Sequence, residues 1–340
     1  MTLALSILDQ STVASGRSPA EAIRETLALA QLADAWGYRR YWLAEHHNSA
    51  SHAGTAPEIL ISAIAATTRR IRVGSAGVML PHYAALKVAE QFRVLEAIAP
   101  GRIDLGVGRA PGSDGRTAYA LNPNAAEAGD RFPQQVQELL GWLGEGLPVT
   151  HPFAQVQAQP AIPTQPEVWI LGSSDFGAQL AAYFGLPYCF AHFITDGRGS
   201  EEAMALYRDG FRPQPGRIAT PNAALAVFAI TAPTEAEAWR LFRSRELWRL
   251  SRDRGIYPPL PTVEEAEAYP YSEAEQAKVE RMRARAIVGA PEQVVAKLTA
   301  VAAAHGAQEV AVLTPCHDQA ARQASFRLLA EANAALPAAA

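Results

Sequence analysis

Short runs of β-branched and aromatic residues alternate with longer stretches of helical periodicity along almost the whole chain, and this alternation constrains its fold before anything else does. Residues 3–8 predict a first strand. Ser18-Pro19-Ala20-Glu21 then supplies an N-cap, a proline at the first helical position and a capping-box glutamate. Ile23, Leu27 and Ala30 give that helix an apolar face, and Gly37 closes it. Residues 41–48, Tyr-Trp-Leu-Ala-Glu-His-His-Asn, predict a second strand that begins apolar and ends in a glutamate and two histidines, a grouping that strand packing alone does not require. Thr55 and Glu58 repeat the capping-box spacing before a helix over 59–68. That helix is so apolar that one sheet face would not cover it, and a subunit interface is expected there.

The rhythm continues. Strands are predicted over 71–80, 103–107, 168–171, 188–193, 223–231 and 309–313, separated by helices over 83–98, 127–143, 176–184, 201–211, 234–252 and 291–304, with a final helix over 318–334. Ser174 is placed to cap the helix at 176, and Thr234 with Glu237 to start the one at 234. Eight strands in strict alternation with helices, and no Gly/Ser-rich linker, predict a (β/α)8 TIM barrel with residues 1–340 as a single domain. One segment breaks the pattern. Residues 255–275 carry prolines at 258, 259, 261 and 270 and acids at 264, 265 and 267, which predicts an insertion after strand seven, spanning about 253–287, that is either a lid over the strand ends or a surface loop. The arginine-rich stretch 243–254 before it is expected to be a solvated helix face.

Composition narrows the function. With 340 residues, 49% hydrophobic, the chain can bury a large core, and a formal net charge of −4 gives no reason to expect nucleic acid or an anionic membrane as partner. No segment approaches the length of apolar run that a membrane span needs, so a cytoplasmic location is expected. Cys189 and Cys316 lie far apart in apolar surroundings, as buried thiols of a reducing compartment would.

Three stretches carry candidate chemistry. Gly106-Val-Gly-Arg-Ala-Pro-Gly112 imitates a dinucleotide fingerprint, but Pro111 stands at the third glycine position and no acid follows at the right distance. What survives is Arg109 at the exit of strand four, suited to an anion such as phosphate. Leu171-Gly172-Ser173-Ser174 runs from a strand into a helix N-terminus, where free amides, the helix dipole and two hydroxyls make a phosphate cradle. His46 and His47 invite a metal, yet neighbours on a strand point to opposite faces, and His52 and His82 lack carboxylates at useful spacing. No metal site is expected; His46 is read as a proton donor or acceptor, with Glu45 and His47 as its supports.

Together with Leu5-Ser-Ile-Leu-Asp-Gln-Ser11, Trp42-Leu-Ala-Glu-His-His47, Ile71-Arg-Val-Gly-Ser-Ala-Gly-Val-Met-Leu-Pro-His82, Gly101-Arg-Ile-Asp-Leu-Gly-Val-Gly-Arg109, Ile170-Leu-Gly-Ser-Ser174 and Val288-Gly-Ala-Pro-Glu-Gln-Val-Val-Ala-Lys297, the chain resembles the luciferase-like flavin monooxygenases, relatives of bacterial luciferase. The resemblance implies a barrel that binds FMN, used in its reduced form as co-substrate with dioxygen to oxygenate a small organic substrate. It further implies a homodimer packed through the second and third helices. Ala76-Gly77 would form a bulge at the flavin ring edge, Met79 would lie against the ring, and Arg109, Ser173 and Ser174 would hold the phosphate. His46 matches the histidine used for proton transfer. Gly108 stands where luciferase itself has a reactive cysteine, a departure that leaves light emission and long-chain aldehyde specificity open. No nicotinamide site is evident, and a separate flavin reductase is expected to supply the electrons. A deazaflavin-dependent oxidoreductase and a non-catalytic flavin-binding protein are the alternatives.

Overall fold

The computed structural model describes residues 2–144 and 146–336. Eight parallel strands close into a ring in the order β1 (Ala4–Asp9), β2 (Arg40–Leu43), β3 (Arg72–Met79), β4 (Ile103–Gly108), β5 (Glu167–Gly172), β6 (Tyr188–Phe190), β7 (Ala223–Thr231) and β9 (Glu309–Leu313), which pairs back onto β1. This is a (β/α)8 barrel. A further short strand, β8 (Ile287–Gly289), pairs only with the upper end of β7 and stands outside the ring.

The outer layer follows the caps. Helix α1 (Pro19–Trp36) starts in a full Ser18–Glu21 capping box and ends at Gly37 in a left-handed conformation. Helix α2 (Pro57–Thr67) differs from expectation: Ala56 holds the N-cap position with no side-chain bond, so the Thr55–Glu58 box does not form and Pro57 sets the first turn. Then come α3 (Ala85–Ile98), α4 (Gly115–Leu121), α5 (Ala125–Ala128), α6 (Phe132–Leu143), α7 (Asp175–Phe184), α8 (His192–Thr195) and α9 (Ser200–Asp209). Two predicted elements are shorter than their apolar runs, because β6 gives way to α8 at His192 and the helix expected over 127–143 breaks at Gly129. Ile59, Val94 and Ile98 stand exposed on α2 and α3.

After β7 runs α10 (Glu235–Asp253), capped by Thr234. The insertion follows, and it is built rather than irregular. Thr262 and Ser272 open α11 (Val263–Ala268) and α12 (Glu273–Arg283) with complete capping boxes to Glu265 and Glu275. The chain closes with α13 (Pro291–His305) and α14 (Gln319–Ala334). Among the described residues, no helix is long and apolar enough to cross a membrane.

Inside the ring, the amino-terminal end is sealed by charge. Arg40 reaches Asp104 at 2.8 Å, Glu309 at 3.1 Å and Glu167 at 3.4 Å, while Arg72 also holds Asp104 and Ser6 donates to Glu309. The Arg40 guanidinium lies 4.8 Å from the centroid of Trp169, so its charge is matched by carboxylates and its flat face by an aromatic ring. Above this floor the interior is Leu8, Trp42, Trp169 and Leu313 with the small Ala224, Ala226 and Ala311.

Candidate functional site

Strand β2 stops at Leu43, five residues before the predicted end, and this frees Glu45, His46 and His47 from strand alternation. The buried Glu45 carboxylate accepts the Met79 backbone N–H at 3.0 Å and the Tyr83 hydroxyl at 2.6 Å, and it meets His47 Nε2 at 2.7 Å. Glu45 therefore ties the loop after β2 to the end of β3, and His47 belongs to that tie. His46 turns elsewhere. Its ring lies flat on His52, with centroids 4.4 Å apart and planes 18° from parallel, and His52 in turn meets the edge of Trp248 from α10 at 5.7 Å. Arg252 stacks on the same tryptophan at 5.1 Å.

Burial pulls the His46 pKa down to about 4, helped by the Arg252 charge and opposed by Glu45, so the ring is neutral near pH 7. His52 is held well below its ordinary value, first by burial and then by His46 and Arg252. Among the described residues, His46 Nδ1 and His52 Nε2 are both buried without a hydrogen-bond partner. Among the described residues, no three or more His, Cys, Asp or Glu side chains are placed to hold a metal ion. His46 and His52 meet aromatic rings, with the Arg252 charge nearby, whereas His47 alone pairs with the Glu45 carboxylate.

On the neighbouring strand, the pairing of β3 with β4 jumps between Ala76 and Val78, leaving Gly77 as a bulge, and the Ala76–Gly77 peptide is cis. The glycines at this point are explained by close backbone approach: a Cβ on Gly77 would stand 2.6 Å from the Gly106 carbonyl oxygen, and one on Gly106 would stand 2.2 Å from that of Ser75. Gly108 is different, since a Cβ there would meet only Met79 Sδ at 3.8 Å, in ordinary contact. Met79 thus sits beside the open end of β4.

A third group forms where β5 enters α7. Ser174 occupies the N-cap, but contrary to expectation its side chain makes no cap bond, and the one first-turn amide engaged by a side chain is that of Phe176, which donates to Asp175 Oδ1 at 2.9 Å. Ser173 is half-buried and Ser174 exposed, next to Gly172. Arg109 comes across from β4 and lies 4.0 Å from the Phe176 ring centroid, which parks its charge at the start of the helix. A cavity of about 560 Å³ opens beside it, lined also by His82, Pro111 and Tyr119. Free hydroxyls, an uncapped helix start and a cation form a donor set that fits a phosphate group. A cleft of comparable size, about 700 Å³, lies under the barrel floor against Arg72, Glu167 and Arg217 and gathers none of these groups.

Comparison with known proteins decides the family. The sequence profile that describes luciferase-like monooxygenases matches residues 1–309. The chain belongs to that family. It is thereby an oxidoreductase of the monooxygenase kind. Among relatives of this luciferase-like chain, the Bacillus subtilis protein YwcH is 46% identical over 98% of this chain and 99% of its own. The N-acetyl-S-alkylcysteine monooxygenase of Bacillus subtilis is 38% identical over 96% of this chain and 97% of its own. The crystal structure of apo-MsnO8 is 39% identical, superposes with a TM-score of 0.88, and covers 99% of each chain.

This family member carries a feature that the sequence pattern did not bring out. Arg240 and Arg243 on α10 do lie toward solvent and meet Glu237, Glu264 and Glu267, as a solvated face should. Arg245, Arg249 and Arg252 occupy the other side and are buried to very different degrees, Arg245 being only 5% exposed with its guanidinium 4.1 Å from the Phe228 centroid. The insertion is stitched down over them: the Pro258 carbonyl accepts from Ser51 Oγ at 2.6 Å and Trp248 Nε1 at 3.0 Å, and Leu260 bonds in both directions, to Val13 and Ser15, at 2.8 Å. Spacing of four and three residues was the available signal for this buried arginine face.

Proposed function

We propose that this luciferase-like chain is an FMN-dependent monooxygenase that takes reduced flavin from a separate reductase and oxygenates a small organic substrate with dioxygen. The observation that carries the reading is the uncapped start of α7, where Ser173, Ser174 and Arg109 leave their donors free for one phosphate. In this reading Gly172 keeps the backbone low beside that phosphate, while Ala76, Gly77 and Met79 receive the ring system from the β3 end. Bound FMN in its reduced form would supply the electrons with which one oxygen atom of dioxygen goes to the substrate and the other to water. His46, neutral and partnerless at Nδ1, serves as the group that takes up or returns a proton. The name of the Bacillus relative makes thioethers the first substrates to try. The exposed apolar residues of α2 and α3 support a homodimer through these helices.

Fluorescence titration with FMN, followed by turnover with a flavin reductase, thioethers and isotopically labelled dioxygen, tests the proposal. Label is expected in the product. Failure to bind FMN in either redox state would remove the proposal, and preference for a deazaflavin would replace it with hydride transfer. His46→Ala is expected to bind flavin normally and lose substrate oxidation; a variant with full activity strips His46 of its role.

A further inference from the structure

Helix α10 is 19 residues long, about 28 Å, and it leans from the β7 end across to the loop after β2, where Trp248 meets His52. Arg245, Arg249 and Arg252 fall within a narrow arc of its inner face. Their acceptors are too few. Asp196, from the loop after α8, approaches Arg245 at only 3.8 Å and Arg249 at 3.6 Å. Asp253 bonds Arg249 at 3.2 Å but is shared with Lys278, and Glu246 is taken by Arg283. Among the described residues, the Nε atoms of both Arg245 and Arg252 are buried with no acceptor, and His46 Nδ1 and His52 Nε2, close to Arg252, are buried without a partner.

Buried guanidinium donors are rarely left without acceptors, because each such group forfeits its hydration for nothing in return. The stacking platforms, Phe228 under Arg245 and Trp248 under Arg252, hold the planes in place without neutralising them. Burial, against weak opposition from Asp196, brings the Arg245 pKa down to about 10, the mark of a cation short of counter-charge. Arg245 also borders a small cavity of about 30 Å³ with His192, Phe228, Arg285 and Asp196, room for a group the size of a carboxylate.

We infer that this face of α10 is the substrate's anion subsite: Arg245, assisted by Arg249 and Arg252, holds the carboxylate of an acidic organic substrate so that the uncharged part of that substrate reaches toward His46. The assignment rests on the monooxygenase reading for its substrate. It differs from the flavin phosphate cradle in place, since Arg109 and α7 stand at β4 and β5 whereas α10 follows β7. It also gives the insertion a purpose, because Pro258 anchors on Trp248 and so the lid is fastened to the helix that carries the subsite.

Calorimetric titration with matched pairs tests it: hexanoate against hexanamide, 3-phenylpropionate against its amide, and N-acetyl-S-methylcysteine against its amide, each with flavin-free and FMN-loaded protein. Acids are expected to bind roughly ten- to hundredfold more tightly than their amides. Arg245→Met and Arg252→Met are expected to erase that preference while leaving FMN affinity unchanged, and Arg245→Lys to keep part of it. Far-ultraviolet circular dichroism confirms that the variants fold, and the lysine variant answers the question if Arg245→Met does not. No acid preference in either flavin state, or a preference that survives both methionine variants, overturns the subsite. Loss of FMN binding with the acid preference intact counts against the flavin reading alone.

Discussion

His46 and His52 lie face to face at 4.4 Å, buried and close to the charge of Arg252, so neither imidazole can take up a proton cheaply. Unfolded, His46 titrates near its ordinary 6.5; folded, near 4. Between these values the unfolded chain binds the proton and the folded chain does not, so stability is full above pH 6.5 and drains away as pH falls toward 4. His46 alone contributes on the order of 3 kcal/mol to this loss. Urea unfolding between pH 7 and pH 4 is expected to reveal the slope, and His46→Gln to flatten it. Equal slopes in the two proteins rule the linkage out.

Glu45 joins two loops through one carboxylate. Glu45→Ala leaves the Met79 amide and the Tyr83 hydroxyl without their acceptor and is expected to cost about 2–4 kcal/mol in denaturant unfolding. Glu45→Gln, which keeps one acceptor oxygen, should recover roughly half of it. A neutral Glu45→Ala variant would mean that the loops hold each other without it.

Arg109 is expected to act on the phosphate and on nothing else in the flavin. Arg109→Ala should weaken FMN binding roughly ten- to hundredfold and leave riboflavin, which lacks the phosphate, unaffected. Equal losses for both ligands would place Arg109 against the ring system instead.

Val94 and Ile98 are 49% and 46% exposed on α3, and the proposed dimer would cover them. Val94→Asp combined with Ile98→Asp is expected to give a folded monomer by light scattering, from a parent that is dimeric. A parent already monomeric at micromolar concentration removes the interface.

Much of the barrel was legible because strands covered on both faces read as continuous apolar runs: β7 and β9 lie at the predicted residues. Capping chemistry located α1 and α10 equally well. The placement of Arg109 and Ser173-Ser174 just past strand ends was readable too. Long-range contacts hid the rest. Strand β2 is cut short because Glu45 is pulled toward Met79 and Tyr83, partners that local pattern does not announce. The capping boxes of α11 and α12 were present in the insertion, but four prolines around them read as a loop. Which arginines of α10 go inward depends on Phe228 and Asp196, contributed by other elements.

The ion pairs around Arg40 make the barrel a blind shaft. With its lower end plugged by Arg40, Asp104, Glu309 and Arg72, every molecule that visits the interior must come and go by one door. Traffic through a single door is ordered: what sits deeper enters first and leaves last. Under the proposed reaction, flavin exchange would wait on departure of the product, and the insertion pinned at Pro258 and Leu260 would lie beside the path of both.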